Sequence, residues 1–263
     1  MVSEGLQDRA SHFGDGLFET IAIRQGQPCL WQYHLNRLQQ GCERLGLPAV
    51  NETALTAEVR QHCTPYPRAV LKLILSAGNI QRGYQRPAEV IPNRYLQSQP
   101  WPDHPLYHTD TPIQLQLCQT RLGSQPLLAG IKHLNRLEQV LARNEIQPPA
   151  DEGVMLDQQG RVVEGIMSNL LLRCDGCYIT PGIQDCGVAG VVRQIVLERA
   201  AQQAMPIQIE TVSLQTLQHA EAVYIMNSLL GVRQVAAFDA QIYPRLPIPT
   251  FLQAIHQACF TPD

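Results

Sequence analysis

Of the 20 Lys and Arg residues in this 263-residue chain only two are lysines, Lys72 and Lys132. Chemistry that needs a primary amine, above all imine formation with a carbonyl, is therefore confined to two positions. Lys72 sits inside the apolar run Ala69-Val-Leu-Lys-Leu-Ile-Leu75, where one polar side chain ordinarily emerges on a strand face, so a structural role is expected. Lys132 follows Leu127-Leu-Ala-Gly-Ile131 and directly precedes the helical pattern Leu134, Leu137, Val140, Leu141. A lysine at a loop-to-helix junction can project into a cleft, although position alone reads it as a solvated surface residue. Glu164, in Arg161-Val-Val-Glu-Gly165, interrupts strand character where burial is expected, and a buried carboxylate needs a donor or a cation beside it. The alternative is an exposed glutamate at a strand end. Cys186-Gly-Val-Ala-Gly190, just before Val191-Val-Arg193, brings glycines and helix N-terminal N–H groups together, which suits a phosphate or serves simply as a tight connection.

Other chemistries lose their usual support. The chain has no Walker A loop, no G-x-G-x-x-G, no H-E-x-x-H and no G-x-S-x-G, so nucleotide binding, zinc proteolysis and serine hydrolysis are not indicated. Its eight cysteines are spread over a length that needs no disulfide staples, and reduced, mostly buried thiols are expected. Cys174-Asp-Gly-Cys177, with Cys186 nearby, lacks the second ligand pair of a structural zinc site; a hairpin turn at Asp175-Gly176 is the simpler reading, and no metal is expected. With a net charge of −3 and scattered arginines, neither nucleic acid nor an anionic membrane is an expected partner. The N-terminus, Met1-Val-Ser-Glu-Gly-Leu-Gln-Asp8, has no basic-then-apolar leader pattern and no apolar run spans a bilayer, so a cytoplasmic protein is expected.

The elements that must position these residues follow from periodicity. Gly16-Leu-Phe-Glu-Thr-Ile-Ala-Ile23 is strand-like, with a turn at Gly26-Gln27. A helix follows in which Trp31, Leu35, Leu38, Cys42 and Leu45 step by four and three until Gly46-Leu-Pro48 ends it. That stripe leaves His34, Arg37 and Arg44 off its centre, and Arg37 could reach a neighbouring site while its stem packs; a lone arginine there is otherwise solvated. The proline-rich, aperiodic segment 97–112 reads as a connection, and the boundary between two lobes is placed near residue 110. Beyond it Ile113, Leu115 and Leu117 alternate with polar or small residues as in a half-buried strand. Val154 to Val163 reads as a hairpin around Gln158-Gln-Gly160, and Asn169-Leu-Leu-Leu-Arg173 pairs with Cys177-Tyr-Ile-Thr180, so the second lobe is expected to be rich in antiparallel strands. A helix should start near Gly190 and continue through Val192, Ile195, Val196 and Ala200 until Pro206.

Taken together, an imine-forming amine, a carboxylate, an arginine and a helix N-terminus are what a pyridoxal 5'-phosphate (PLP) enzyme requires. Four blocks resemble the fold-type IV PLP enzymes, the family of branched-chain and D-amino-acid aminotransferases and of aminodeoxychorismate lyase: Phe13-Gly-Asp-Gly-Leu-Phe-Glu-Thr20, His34-Leu-Asn-Arg-Leu38, Gly130-Ile-Lys-His-Leu-Asn-Arg-Leu-Glu-Gln139 and Glu164-Gly-Ile-Met-Ser-Asn-Leu170. The third is most like the lyase branch. The resemblance implies an α/β (α+β) fold of two lobes, a smaller N-terminal α/β lobe (1–110) and a larger strand-rich C-terminal lobe (111–263) carrying the lysine. It implies Lys132 as the Schiff-base lysine and general base, Arg37 on the phosphate, Glu164 on the pyridine nitrogen, and Gly190, Val191 and Val192 as the backbone cradle. Asn227-Ser228 departs from the Thr-Gly-Thr segment frequent in aminotransferases, with Ser228 a further candidate for the phosphate. Arg82, in Gln81-Arg-Gly-Tyr84, is the candidate for a substrate carboxylate. The implied reaction converts 4-amino-4-deoxychorismate to 4-aminobenzoate and pyruvate in folate biosynthesis, in a homodimer. A fold-type IV aminotransferase is the alternative; a non-catalytic metabolite-binding protein fits less well, because binding alone does not call for both Lys132 and Glu164.

Overall fold

The computed structural model describes residues 7–79, 83–108, 111–205 and 207–262. The chain packs as two compact units: one comprises the chain up to Trp101 with Ile131–Arg136 and the stretch from Phe260, the other Pro102–Gly130 with Leu137–Cys259. Against a single boundary near residue 110 this division differs in one consequential way. Lys132 falls with the first unit, because the chain returns to it for six residues, a return that composition along the sequence does not signal.

In the first unit the short helix α1 (Arg9–Phe13), closed by Gly14 at a left-handed φ of 61°, precedes an antiparallel sheet. Its strands β1 (Gly16–Arg24), β2 (Gln27–Pro28), β3 (Arg68–Ser76) and β4 (Asn93–Pro100) lie in the order β2-β1-β3-β4. Strand periodicity sends alternate residues to one face. There Leu17, Ile21 and Ile23 of β1 and Leu71, Leu73 and Leu75 of β3 join a core with Leu35, Leu38 and Cys42 of α2 (Trp31–Leu45) and Leu55 and Val59 of α3 (Glu52–Cys63). Both helices are delimited locally: Gly46 takes a left-handed φ of 64° to close α2, and the Asn51 side chain accepts from Ala54 N–H to start α3. The opposite face carries Phe18, Thr20, Lys72 and Ile74, all half-buried. Ile131–Arg136 runs beside the start of β1: Leu17 bridges His133, Phe18 N–H donates to Lys132 O (3.0 Å) and Leu134 N–H to Gly16 O (3.1 Å). Lys132 is thus held in an extended, β-paired segment. The expected loop-to-helix junction is displaced, since the helix α4 (Leu137–Glu145) begins five residues later.

The second unit is built on a nine-stranded mixed sheet, with β10 (Gln208–Glu210), β9 (Cys177–Pro181), β8 (Asn169–Cys174), β11 (Ala222–Asn227), β12 (Gly231–Phe238), β5 (Ile113–Leu122), β6 (Glu152–Asp157) and β7 (Val162–Gly165) in that order and β13 (Gln241–Ile242) beside β12. The hairpins expected at Gln158-Gln-Gly160 and Asp175-Gly176 are present as β6–β7 and β8–β9. Antiparallel pairing is not universal: β5 runs parallel to both β6 and β12, and β10 parallel to β9. Side-chain alternation reports which face is buried and carries no information on partner direction, so the residue pattern does not reveal this. The core holds Ile113, Leu115, Val154, Leu170, Leu172, Val223, Ile225 and Phe238 with Leu217 of α6 (Leu214–His219). α5 (Val191–Gln202) starts where expected and ends at Gln202; Pro206 lies outside the described residues. The architecture is the expected α/β type, with a smaller N-terminal and a larger strand-rich unit.

Candidate active site

In the first unit the Lys132 ammonium lies 4.3 Å from the centre of the Phe18 ring, and the residue is half-buried. The surface reading of Lys132 is therefore corrected: pairing with β1 turns its side chain onto the aromatic face of the sheet. Its neighbour His133 accepts a hydrogen bond at Nε2 from Arg136 Nη2 (2.6 Å). Burial, then the charges of Arg136 and Lys132, push His133 down to about 4, so it stays neutral with its proton on Nδ1, an atom without a partner among the described residues.

Arg37 leaves α2 toward β1. Its Nε donates to Glu19 Oε1 (2.8 Å) and its Nη2 to Glu19 Oε2, which also meets His34 Nδ1 at 2.6 Å. Glu19 is 1% exposed. Burial alone would raise its pKa, but Arg37 and then His34 outweigh that and hold it at about 2. His34 is fully buried and burial keeps its pKa below the usual value, so we read it as a neutral donor to Glu19. Sequence reasoning singled out Arg37 and missed Glu19 and His34 as its setting. The available signal was an acidic residue on the core-facing side of β1 opposite a basic helix.

In the second unit Glu164, on β7, is 4% exposed. Its Oε2 accepts from Val188 N–H (2.9 Å) and from Asn169 Nδ2 (3.3 Å), and Asn169 Nδ2 also donates to Val188 O (2.9 Å). Asn169 thus clamps the carboxylate to the loop before α5, a role that the residues around Glu164 in the chain do not reveal. Two glycines permit the close approach. Gly187 has a φ of +89°, and an added Cβ would lie 2.9 Å from Val163 Cγ1. At Gly190 a Cβ would come within 2.0 Å of Asn169 Oδ1, so this N-cap position takes no side chain. No side chain caps α5, and the N–H groups of Val191 and Val192 open its first turn. Such a terminus suits an anion: the peptide dipoles place partial positive charge there, and the buried Arg193 of the same turn points instead to Thr180 Oγ1 and Pro181 O. These features fit a phosphate and a ring nitrogen that needs a carboxylate.

Ser228 lies half-buried in the turn between β11 and β12; Asn227 shapes that turn by accepting from Leu229 and Leu230 N–H (2.8 Å each) and donating to Met167 O (3.0 Å). Arg82 lies outside the described residues. A further buried acid, Glu152, was not foreseen. It accepts from Met167 N–H (2.8 Å) and Ser168 Oγ (3.1 Å), and burial pushes it up to about 7 in spite of these donors.

The family model described as amino-transferase class IV matches residues 16–238. An aminodeoxychorismate lyase of Vibrio harveyi is 37% identical over 241 residues, spanning 89% of this chain and 87% of the relative. The crystal structure of a 4-amino-4-deoxychorismate lyase from Pseudomonas aeruginosa superposes with a TM-score of 0.88 at 44% identity, covering 96% of this chain and 92% of that one. A bifunctional aminodeoxychorismate lyase / D-amino acid transaminase of Mycobacterium tuberculosis is 22% identical over 275 residues, covering 97% and 93%.

Proposed function

This chain belongs to the amino-transferase class IV family, and from that premise we propose that it is a PLP-dependent lyase converting 4-amino-4-deoxychorismate to 4-aminobenzoate and pyruvate, a step of folate biosynthesis. The observation that carries this reading is the likeness to two lyases along almost the full length of the chain. Lys132 would hold the cofactor through Nζ; Glu164 would meet its ring nitrogen; Gly190, Val191, Val192 and Arg37, with Ser228, would meet its phosphate. When bound, PLP supplies an electron sink for the carbanion formed beside the substrate nitrogen.

The chain's own residues then have separable tasks. Glu164, fixed by Val188 N–H and Asn169, presents a carboxylate whose orientation is set before anything binds. Lys132 Nζ takes the proton from the amine-bearing carbon and delivers one to the departing enolpyruvyl group. Loss of that group leaves an aromatic ring, which makes the elimination favourable. His133, neutral beside Lys132, adds no further positive charge that would oppose the arrival of a proton on Nζ.

The same proposal includes a homodimer and a cytoplasmic setting. It is supported by α4, which turns Leu137 (77% exposed), Val140 and Leu141 outward, an apolar stripe of the kind that a second copy covers. No helix among the described residues is long and apolar enough to cross a membrane.

Incubation of the PLP-loaded protein with 4-amino-4-deoxychorismate tests the reading through the release of pyruvate and 4-aminobenzoate in equal amounts. Neither product, together with vigorous transfer of an amino group from an amino acid to a keto acid, would replace the lyase by the aminotransferase reading.

A further inference from the structure

Glu152 is fully buried and has no task in the chemistry above, yet it lies under the turn that joins two residues that do. On β6 it stands two positions before Val154, which pairs with Gly165, while Met155 pairs with Glu164. Alternation along the strand therefore puts the Glu152 carboxyl on the Gly165 face, across the sheet from the Glu164 side chain. Only residues 165–168 separate Glu164 from Asn169. They close on themselves, Gly165 N–H donating to Ser168 O (2.6 Å), and Glu152 Oε1 holds the far half by accepting from Met167 N–H (2.8 Å) and Ser168 Oγ (3.1 Å). Ile166 N–H donates to Gly153 O (3.1 Å) and Asn227 Nδ2 to Met167 O (3.0 Å), which ties the turn to β6 and to the turn that carries Ser228. The fit is close: a Cβ on Gly165 would lie 2.3 Å from Ser168 Oγ and 2.8 Å from Glu152 Oε1.

A carboxyl is a costly way to fill a core. An apolar side chain would pack there, but it would leave Met167 N–H and Ser168 Oγ buried without this acceptor. Burial raises the Glu152 pKa against the pull of those two donors and of Arg143, and Asp151 adds to the rise; Tyr107 and Cys118 also face the group. Its second oxygen, Oε2, has no partner among the described residues, so the side chain's polar hold on the protein is through Oε1 on this one turn. Asn169 Nδ2 bonds Glu164 Oε2 (3.3 Å) across the turn, so the shape of the turn sets the direction of the Glu164 carboxylate. We propose that Glu152 is a positioning residue for the cofactor's ring nitrogen: by gripping Met167 and Ser168 it holds Asn169 and Glu164 at the offset that aims the Glu164 carboxylate. This rests on the PLP-dependent reading, in which Glu164 meets that nitrogen.

Glu152→Met keeps the volume and removes the acceptor, whereas Glu152→Gln keeps the acceptor. Titration of the folded apoprotein with PLP should show affinity about 10-fold to 100-fold weaker in Glu152→Met, the usual effect of losing a contact that supports a ligand-binding group, and within about 3-fold of the wild type in Glu152→Gln. In the holoenzyme saturated with PLP, Glu152→Met should lower kcat by about 10-fold with KM within about 3-fold, because the carboxyl acts on the cofactor's orientation and not on substrate binding. The route through Asn169 has its own signature. The double variant of Glu152→Met with Asn169→Ala should bind PLP no more than about 3-fold more weakly than the weaker single variant, whereas independent effects would multiply. Ser168→Ala removes one of the two donors from the other side, should weaken PLP binding by about 3-fold to 10-fold, and supplies the measurement should Glu152→Met not fold. Losses below these ranges, losses that Glu152→Gln does not restore, or losses that multiply in the double variant would overturn the positioning role alone. Failure of the wild-type apoprotein to bind PLP, or of borohydride reduction to fix PLP to Lys132, would overturn the cofactor reading and the positioning role with it.

Discussion

Glu19 grips the Arg37 guanidinium with both carboxylate oxygens from the core side of the sheet, and the same carboxylate holds the imidazole of His34. An arginine fixed in this way approaches a phosphate without first losing rotamer freedom. Glu19→Gln should therefore weaken PLP retention during dialysis, read from the cofactor's absorbance, and should lower unfolding free energy by about 3–5 kcal/mol, the usual cost of breaking a buried ion pair from one side. The pH dependence has a definite sign. Because the folded-state pKa is depressed to about 2, the contribution of Glu19 is complete above the ordinary carboxylate range and is lost as pH falls through about 2. Denaturation curves of the wild type should show that acid loss, and those of Glu19→Gln should lack it.

Glu152 has the opposite sign. Its folded-state pKa is raised to about 7, so the native state holds a proton that the unfolded chain releases at lower pH. The contribution of Glu152 to stability should decline as pH rises from the ordinary carboxylate range to about 7. Glu152→Gln keeps an acceptor for Met167 N–H and Ser168 Oγ, so the melting temperature of the wild type relative to this variant should fall across that window and lie below it at pH 8. An identical pH slope in the two proteins would contradict the assignment.

Gly190→Ala should act on the cofactor before it acts on the fold. The added methyl group meets Asn169 Oδ1, on the residue that ties Glu164 to Val188, and displaces it. Loss of such a supporting contact typically costs about 10-fold to 100-fold in affinity, so PLP binding measured by titration of the apoprotein should weaken by that order. Binding within about 2-fold of the wild type would show that the loop yields without consequence.

Lys132→Ala should abolish pyruvate release while the protein remains folded by circular dichroism, since the side chain contributes little to the core. Peptide mapping after borohydride reduction of the wild type should find PLP on Lys132. Label on Lys72 would exchange the roles of the two lysines.

The apolar stripe on α4 predicts an oligomer. Leu137→Glu combined with Leu141→Glu should shift the mass measured by light scattering from dimer to monomer, because burying two carboxylates in an apolar contact carries a desolvation cost. A wild-type monomer at micromolar concentration would remove this part of the proposal.

What was legible in the sequence was local. The stripe of α2 and its Gly46 end, the two hairpins and the start of α5 each follow from side-chain period or turn chemistry within a few residues. What escaped depends on register between distant segments. The Glu19–His34–Arg37 group exists because β1 and α2 pack with one particular offset, and the pairing of Lys132 with β1 joins residues more than a hundred positions apart. The helical spacing of Leu137, Val140 and Leu141 was a correct sign of α4, but that apolar face does not enter the core, where Ala142 is the helix's buried residue.

The six-residue visit of Ile131–Arg136 to the first unit also sets an order of assembly. Ile131 belongs to that unit's core, Phe260 stacks edge-on against Trp101 at 6.1 Å, and Pro262 bridges Cys29. On the ribosome the four strands of the N-terminal sheet emerge first, but the unit around them is not complete until residues 131–136, and then residues 260–262, have been synthesised. Lys132 therefore acquires its place on the sheet only after about half of the chain has been made, and a nascent chain stalled at Trp101 would display an unfinished hydrophobic face to chaperones.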